Sequence, residues 1–380
     1  MKVLLMYEGF DEYTVQLWDN IKKLDPQIHL SLLTTRDAEK QYRERIDIEP
    51  GEIIYTESDK HSYFPFNTLS IIRNLPQYDI IHISYIELKW GIVAPALRKK
   101  CKKLIISVGG SDMYRVAKKV HKRLIQLRLL KRADIISSEN SQTRSTFYKV
   151  YGKKIKNIPH YIVRYGVNVI DAIRECRDSK DILRKKWDIP EDKEVVMLGY
   201  NGSRNQQHLK LVDAIKKIDR KTLDRCFFLI PMTYLVPNRK YRALVEEKVA
   251  EVTDSYRFYD DYLNVSLMAE LTILTDVMIH VQTTDQLSSS MMAHLFCENI
   301  VIAGSWLPYN DITDAGIHLF RVDDIDAITE LLAEIVRGPN DYKSLCRENK
   351  RRTYRFSSWE CCANQWLKLY KGDMTYGNSV

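Results

Sequence analysis

The chain has 380 residues, of which 45% are hydrophobic and 28% are charged, and its formal net charge is +8. This length and composition predict a globular protein of two domains with a substantial core. No apolar run approaches the roughly 18 residues of a membrane-spanning helix, and the N-terminal apolar run lacks the features of a signal peptide. We therefore expect a cytoplasmic protein.

The cysteines are scattered along the chain, without the CxxC or histidine spacing that is typical of a metal site. We predict reduced thiols, no metal and no cofactor. The modest positive charge allows an anionic partner, which could be a phosphorylated ligand, a membrane surface or nucleic acid.

The first half of the chain alternates apolar strands with helical segments. The strands are predicted at Lys2–Tyr7, His29–Thr34, Asp79–Ser84, Leu104–Val108 and Ala133–Ser138. Such an alternation predicts an α/β fold with a parallel, doubly wound sheet. A second alternating unit begins at Glu194. We divide the chain into an N-terminal domain, a linker, a C-terminal domain and a final helical segment, at 1–167, 168–193, 194–355 and 356–380.

Two acidic residues follow strands of the first domain, at the strand ends where open α/β sheets bind ligands. Asp112 comes after Gly109 and Gly110, which allow close approach and would place its carboxylate at the rim of the sheet. The alternative is a glycine turn with Asp112 as a helix cap. Glu8 follows the first strand and could face a ligand or only solvent.

Residues 115–132 are strongly basic and have helical periodicity. The apolar positions at helical spacing are Val116, Val120, Leu124 and Leu127. A basic amphipathic helix can lie on an anionic membrane surface, although a helix with a charged solvent-facing side has the same pattern. We do not expect nucleic acid as a partner, because no interleaved aromatic residues or binding motif accompany the charge.

The second domain opens with a polar, glycine-containing loop between a strand and a helix, Gly199-Tyr200-Asn201-Gly202-Ser203-Arg204. This arrangement suits phosphate, and Arg204 adds a charged donor. The loop lacks both the GxxxxGK[ST] and the GxGxxG pattern. We predict that Asn201, Ser203 and Arg204 contact a phosphorylated ligand.

A serine-rich stretch follows the apolar run that ends at Val281. Apolar residues at Leu287, Met291, Met292 and Leu295 indicate a helix that starts near these serines. A helix N-terminus offers unpaired backbone N–H groups and partial positive charge, so Ser288, Ser289 and Ser290 could bind an anion. Serines are also common ordinary helix caps.

The order of these elements resembles that of the GT-B glycosyltransferases over nearly the whole chain. The motifs behind this resemblance are Asp79-Ile80-Ile81-His82-Ile83, Gly110-Ser111-Asp112, Tyr165-Gly166-Val167 and Phe356-Ser357-Ser358-Trp359. The resemblance implies two Rossmann-like domains whose parallel sheets face a central cleft. It also implies a C-terminal helix that crosses back to the N-terminal domain.

Two glycosyltransferase families are similar in more detail. In retaining family 4 a Glu-x7-Glu pattern precedes the strand at 300–303, and its two positions fall here on Asp285 and Ala293. That family's diphosphate-binding Arg and Lys fall on Asn201 and Gln206. Family 56, the dTDP-4-acetamido-4,6-dideoxygalactose transferases, has runs similar to 199–208 and 231–241.

The resemblance implies a metal-independent glycosyltransferase that uses a UDP-, dTDP- or GDP-linked donor. A lipid-linked glycan acceptor in bacterial lipopolysaccharide or capsule synthesis, at the inner face of the plasma membrane, would suit the basic helix. The donor diphosphate would contact Asn201, Ser203, Arg204, Ser288, Ser289 and Ser290. The nucleoside or sugar would contact Tyr234, Phe258, Tyr259, Asp285 and Gln286.

The acid–base residue is left open by the sequence. Asp112 or Glu8 would act as the base if the reaction inverts the anomeric centre. Two other functions fit the same fold, a non-catalytic protein that binds a sugar nucleotide or glycan, and a sugar-nucleotide epimerase of the GT-B type.

Overall fold

The computed structural model describes residues 1–7, 12–43, 51–56, 66–155 and 157–374. They form two compact units, the first made of Met1–Gly166 and the segment from Trp359, and the second of Val167–Ser358. Glu8, one of the two predicted acid–base residues, lies outside the described residues.

The first unit contains one parallel sheet. Its strands are β1 (Lys2–Met6), β2 (His29–Thr34), β3 (Ile53–Tyr55), β4 (Tyr78–Ile83), β5 (Cys101–Ser107), β6 (Ile135–Ser138) and β7 (His160–Ile162). Their spatial order is β3-β2-β1-β4-β5-β6-β7. The order reverses between β1 and β4, as in doubly wound sheets.

The second unit contains a parallel sheet of its own. Its strands are β8 (Glu194–Leu198), β9 (Cys226–Pro231), β10 (Tyr256–Tyr259), β11 (Val277–His280), β12 (Ile300–Gly304) and β13 (Phe320–Val322). The spatial order is β10-β9-β8-β11-β12-β13, so β8 and β11 are neighbours at the point of reversal.

Helices flank both sheets. Along the described chain they are α1 (Glu12–Leu24), α2 (Arg36–Arg43), α3 (Phe66–Asn74), α4 (Leu88–Arg98), α5 (Ser111–Tyr114), α6 (Val120–Leu130), α7 (Ser141–Tyr151), α8 (Asn168–Glu175), α9 (Lys180–Lys186), α10 (His208–Ile215), α11 (Arg220–Leu223), α12 (Arg239–Ala250), α13 (Val265–Leu274), α14 (Ser289–Phe296), α15 (Asn310–Asp314), α16 (Ile328–Arg337), α17 (Pro339–Leu345), α18 (Asn349–Ser357) and α19 (Trp359–Lys371). Short 3₁₀ helices lie at Val116–Lys118, Gly152–Ile155 and Arg204–Gln206.

Both faces of the first sheet are buried, which explains why its strands are apolar without alternation. In β1, Leu4 and Met6 pack into the core on one face, and Val3 and Leu5 pack into the core on the other. Each strand therefore needs apolar residues at consecutive positions.

Helix α19 belongs to the first unit, where it packs beside α1. The Trp359 indole donates to Gln16 Oε1 at 2.8 Å, and the Trp366 indole donates to the Arg164 carbonyl at 2.9 Å. A Cβ on Gly166 would lie 2.4 Å from the Trp359 ring, so this glycine lets the tryptophan pack closely. The two tryptophans thus attach the end of the chain to the first unit.

Residues 168–193, expected to be a linker, contain α8 and α9 and lie in the second unit. Val169 and Ile170 of α8 are buried with Ala269 of α13, and Leu183 of α9 is buried against side chains of β8 and β9. These helices contribute to the core of that unit because their apolar sides are covered.

The basic segment 115–132 is not one helix, contrary to the expectation from its periodicity. A 3₁₀ turn ends at Lys118, and α6 begins at Val120 after an extended residue. Helix α4 determines which side of α6 is buried. The two helices approach closely at Gly91 of α4, where a Cβ would lie 2.3 Å from the carbonyl oxygen of Ile125 in α6. Leu127 is therefore buried, whereas Val120 and Leu124 are 59% and 53% exposed.

None of the seven cysteines, all of which lie in the described ranges, forms a disulfide. Within these ranges no helix is both long enough and apolar enough to cross a membrane. The described His, Cys, Asp and Glu side chains also form no group of three that could hold a metal ion.

Candidate functional site

Two loops lie side by side at the carboxyl edge of the second sheet. Leu198 of β8 pairs with Ile279 of β11, so the segments that follow these strands are neighbours. Asn205 joins them, since its side-chain amide donates to Gln282 Oε1 at 2.5 Å and to the Thr284 carbonyl at 2.9 Å. The structure thus brings the predicted phosphate loop next to the serine-rich helix start.

The loop after β8 is shaped by its own polar side chains. Asn201 is buried and accepts a hydrogen bond from the Ser203 backbone N–H at 2.9 Å, and Ser203 in turn caps the 3₁₀ helix through the Asn205 N–H. Gly202 has no room for a side chain, because a Cβ would lie 2.3 Å from Val236. Asn201 and Ser203 therefore fix the backbone of this loop.

Arg204 projects from the same loop and is exposed. Its guanidinium lies 4.5 Å from the centre of the Tyr241 ring, a cation–π contact that orients the side chain while leaving its N–H donors available. A cation held in this way suits recognition of a phosphate group.

Helix α14 begins at Ser289, and each serine of the stretch has a different environment. Ser288 is the N-cap, and its hydroxyl accepts the Met291 N–H at 3.2 Å. The Ser290 hydroxyl is buried without a hydrogen-bond partner among the described residues. Ser289 is partly exposed at the first helical position. The helix start therefore combines an ordinary cap with an unsatisfied buried hydroxyl.

A buried hydrogen-bonded group lies beside this helix start and was not found from the sequence. Tyr309 donates its hydroxyl hydrogen to Asp285 Oδ2, and His280 Nε2 lies 2.7 Å from the same hydroxyl oxygen. His280 Nε2 is also 3.5 Å from Asp285 Oδ2. His280 and Tyr309 are fully buried, whereas the Asp285 side chain is 15% exposed.

Tyr200 extends this group toward the first loop. Its ring stacks on His280 with centroids 5.9 Å apart, and its hydroxyl accepts a hydrogen bond from Gln282 Nε2 at 2.8 Å. The Tyr200 hydroxyl also interacts with Ser288. The group therefore connects the ends of β8 and β11 to the cap of α14.

The remaining predicted donor contacts differ in position. The Tyr234 carbonyl accepts the Gly202 N–H at 2.9 Å, so Tyr234, 37% exposed, lies beside the first loop. Gln286 is buried in the second loop, immediately after Asp285.

Phe258 and Tyr259 lie farther away, on β10 at the edge of the sheet, two strands from β8. The Phe258 ring contacts the Arg242 guanidinium at 3.7 Å, and the Tyr259 ring packs against Trp187 at 5.2 Å. These packing contacts favour a structural role for both rings.

Asp112, in the first unit, is completely buried. Its carboxylate accepts backbone N–H groups of Ile86, Gly109 and Met113 at 3.1, 3.0 and 2.8 Å. Burial raises the pKa of Asp112, while these three hydrogen bonds act to lower it. The expected position at an open rim is not observed, and the geometry is that of a carboxylate that ties together the loops after β4 and β5.

Glu87, one residue beyond Ile86, is the carboxylate that the sequence did not single out. It occupies the N-cap position of α4, but its side chain makes no capping hydrogen bond. Its carboxylate lies 3.2 Å from Lys89 Nζ. Burial raises the pKa of Glu87 to about 7 and lowers that of Lys89 to about 8. A carboxylate that titrates near neutral pH is suited to general acid–base chemistry.

Comparisons with known proteins bear on both units. A family model described as "Glycosyl transferase 4-like" matches residues 2–140. Sucrose-phosphate synthase from Thermosynechococcus elongatus is similar in structure with a TM-score of 0.77 at 17% identity, over 98% of both chains. The matched residues span both sheets of the chain. The chain has the GT-B fold.

Two further solved structures share this fold. Anabaena HepE, in complex with UDP and glucose, has a TM-score of 0.76 at 12% identity, over 98% of this chain and 100% of its own. WaaG, a glycosyltransferase involved in lipopolysaccharide biosynthesis, has a TM-score of 0.66 at 12% identity, over 98% and 100%. No curated protein sequence matches the chain. The α/β class and GT-B fold predicted from the sequence are confirmed.

Proposed function

We propose that the protein is a glycosyltransferase that takes a sugar from a nucleotide-diphosphate donor bound to the second unit. The observation that carries this proposal is the pair of loops joined by Asn205, where an exposed arginine and a serine-rich helix start lie beside a partly exposed carboxylate. The GT-B fold, the N-terminal match to a glycosyltransferase family model and the UDP and glucose held by HepE support it.

The positive groups of the site would act on the leaving nucleotide. Arg204 and the first N–H groups of α14 would contact the diphosphate, and their charge would stabilise the negative charge that develops as the sugar–phosphate bond breaks. The Ser290 hydroxyl, buried without a described partner, is a further donor. This chemistry requires no metal ion, and metal independence is part of the proposal.

Glu87 is our candidate for the acid–base group of the first unit if the reaction inverts the anomeric centre. Asp112 is less suited, because the described hydrogen bonds of its carboxylate all come from backbone N–H groups that it holds in place. Those bonds include the N–H of Ile86, so Asp112 would position Glu87 indirectly.

Helix α6 supports association with an anionic membrane surface. Val120 and Leu124 are exposed one turn apart, and Lys119, His121 and Arg128 are exposed around them. Exposed apolar side chains among basic ones are typical of helices that lie on anionic bilayers. A lipid-linked glycan acceptor, and a role in surface polysaccharide synthesis like that of WaaG, fit such a location.

The donor site is tested by two variants. Arg204→Ala removes the charged donor, and Ser289→Glu places a carboxylate where the phosphate would bind. Ser289→Glu is informative because a negative charge at a helix N-terminus should stabilise α14 while it repels the ligand. We expect each variant to lose at least tenfold in affinity for the donor without a lower melting temperature.

The matched control is Ser344→Glu, which adds the same charge to a helix of the second unit outside the two loops. Calorimetric titration with UDP-, dTDP- and GDP-sugars provides the measurement. Unchanged donor affinity in Arg204→Ala and Ser289→Glu would contradict the diphosphate site. Conversion of the donor without an acceptor, followed by NMR, would favour an epimerase instead, and binding without any turnover would favour a non-catalytic protein.

A further inference from the structure

We propose that His280 and Tyr309 are positioning residues that orient the Asp285 carboxylate toward the hydroxyl groups of the donor sugar, so that they govern recognition of the sugar and not of the nucleotide. This inference rests on the proposed function and deepens it. Neither residue belongs to the motifs that the sequence indicated.

The proton positions follow from the contacts. Tyr309 has one hydroxyl hydrogen and donates it to Asp285 Oδ2, so the hydrogen of the 2.7 Å contact with His280 must come from Nε2. His280 therefore donates to Tyr309, which donates to Asp285. Burial and the neighbouring Asp285 raise the pKa of Tyr309, which keeps the phenol a neutral donor.

The histidine is itself held in place. Its ring packs against Tyr200 at an interplanar angle of 17° and against Tyr309 at 30°. Gln282 fixes Tyr200 in turn by donating to its hydroxyl. A chain of aromatic and amide side chains therefore fixes one oxygen of a carboxylate whose side chain stays partly exposed.

The other oxygen, Asp285 Oδ1, accepts no hydrogen bond from the described residues. A carboxylate would repel a diphosphate, so this oxygen suits the uncharged end of the donor. Two acceptor lone pairs on one oxygen match the hydroxyl groups of a sugar ring, and bonds from hydroxyl groups to a charged acceptor are stronger than neutral ones. The positioning pair would thus act on the sugar through Asp285.

The test compares two ligands with one variant. The first ligand is a nucleotide sugar, chosen as the one that the wild type binds most tightly among UDP-glucose, UDP-N-acetylglucosamine, dTDP-glucose and GDP-mannose. The second ligand, the reference, is the nucleoside diphosphate of that nucleotide sugar. We expect Tyr309→Phe to weaken binding of the nucleotide sugar by about 10-fold or more, the usual effect of losing support for a charged hydrogen bond, with the diphosphate's affinity unchanged. A merely structural role would weaken both ligands equally.

Further variants provide the controls. His280→Gln keeps an N–H donor and should retain much of the preference for the sugar, whereas His280→Leu should lose it. Tyr342→Phe removes another tyrosine–carboxylate bond of the second unit, 2.7 Å from Glu334, and should change neither affinity. If Tyr309→Phe does not fold, the two His280 variants decide the question.

Several outcomes would overturn the inference. Equal losses for both ligands, or no loss for either, in Tyr309→Phe would show that the pair does not act on the sugar. Equal behaviour of the Gln and Leu variants at position 280 would also contradict it. A wild type that binds neither ligand would instead reject the proposed function, and the inference with it.

Discussion

Two neighbouring carboxylates of the first unit have opposite surroundings. The Asp112 carboxylate accepts three backbone N–H groups, whereas the Glu87 carboxylate pairs with the Lys89 ammonium at 3.2 Å. Asp112 therefore contributes to loop structure, and Glu87 is the residue that we propose for proton transfer. The glycines before Asp112 did not reveal this structural role in the sequence. The role depends on backbone N–H groups from two loops that are separate in the sequence, the one after β4 and the one after β5.

The first prediction concerns the pH dependence of transfer. With a pKa of about 7, Glu87 is protonated in acid and can accept a proton only above that pH. Activity should therefore fall as the pH is lowered through about 7. Glu87→Gln should reduce kcat by about 10²–10⁴-fold and remove this dependence, as measured by a pH–rate profile.

Asp79→Asn is the control, since Asp79 lies at the amino end of β4 and contacts Lys102 at 2.7 Å. Stability gives an independent readout. A raised pKa means that the folded state holds the proton more tightly, so the stabilisation from protonation is complete below about pH 4.5 and is lost as the pH rises through about 7. A Glu87→Gln enzyme with an unchanged pH–rate profile would reject the acid–base role.

Asp276 is the centre of a buried ionic cluster in the second unit. Lys180 Nζ lies 2.7 Å and Lys343 Nζ 3.1 Å from Oδ1, and Arg184 donates to Oδ2. Burial opposes ionisation, but these cations outweigh it and lower the pKa of Asp276 to about 2. The cluster ties α9 and α17 to the start of β11.

We predict that Asp276→Asn lowers the free energy of unfolding by about 3–5 kcal/mol, because it leaves the buried Arg184 guanidinium, whose side chain is 9% exposed, without its anion. The depressed pKa means that the wild type keeps this contribution above about pH 4 and loses it as the pH falls toward 2. Urea unfolding across this range measures it. Asp326→Asn, in an exposed pair with Lys217, should change stability by less than about 1 kcal/mol. Equal losses of stability in Asp276→Asn and Asp326→Asn would contradict a stabilising role for the cluster.

At the scale of single elements, α6 shows what periodicity can predict. The spacing predicted which positions of α6 are apolar. It did not predict which of these positions are covered by the neighbouring α4. Leu127 faces the core, and Val120 and Leu124 do not. That outcome depends on the close approach at Gly91, which no local pattern in α6 records.

The exposed pair leads to a prediction about membranes. Val120→Glu with Leu124→Glu should reduce binding to vesicles that contain phosphatidylglycerol by about tenfold or more, since apolar contact is lost and two negative charges are added. Co-sedimentation measures this binding. Leu345→Glu, also at an exposed leucine, should have no effect. Unchanged vesicle binding by the double variant would contradict a role of α6 in contacting the membrane.

At the scale of the whole molecule, the fold was predictable because buried parallel strands are apolar at consecutive positions and alternate with helices. The two loops of the site could be found for the same reason, since each follows a strand. The group around Asp285 could not, because Tyr309 is separated from it by α14 and β12. Only the folded sheet places that tyrosine beside His280.

Binding of a nucleoside diphosphate and its sugar by this chain is the basis of the proposed function. Ligand-induced stabilisation of the wild-type protein tests this binding, with a thermal-shift series of UDP, dTDP and GDP and their sugars. A ligand present at about 100 times its Kd should raise the free energy of unfolding by about 2.7 kcal/mol, which a shift in melting temperature would report. We expect such a shift for one nucleotide and its sugar, and no shift with any of these ligands at millimolar concentration would contradict the proposed function.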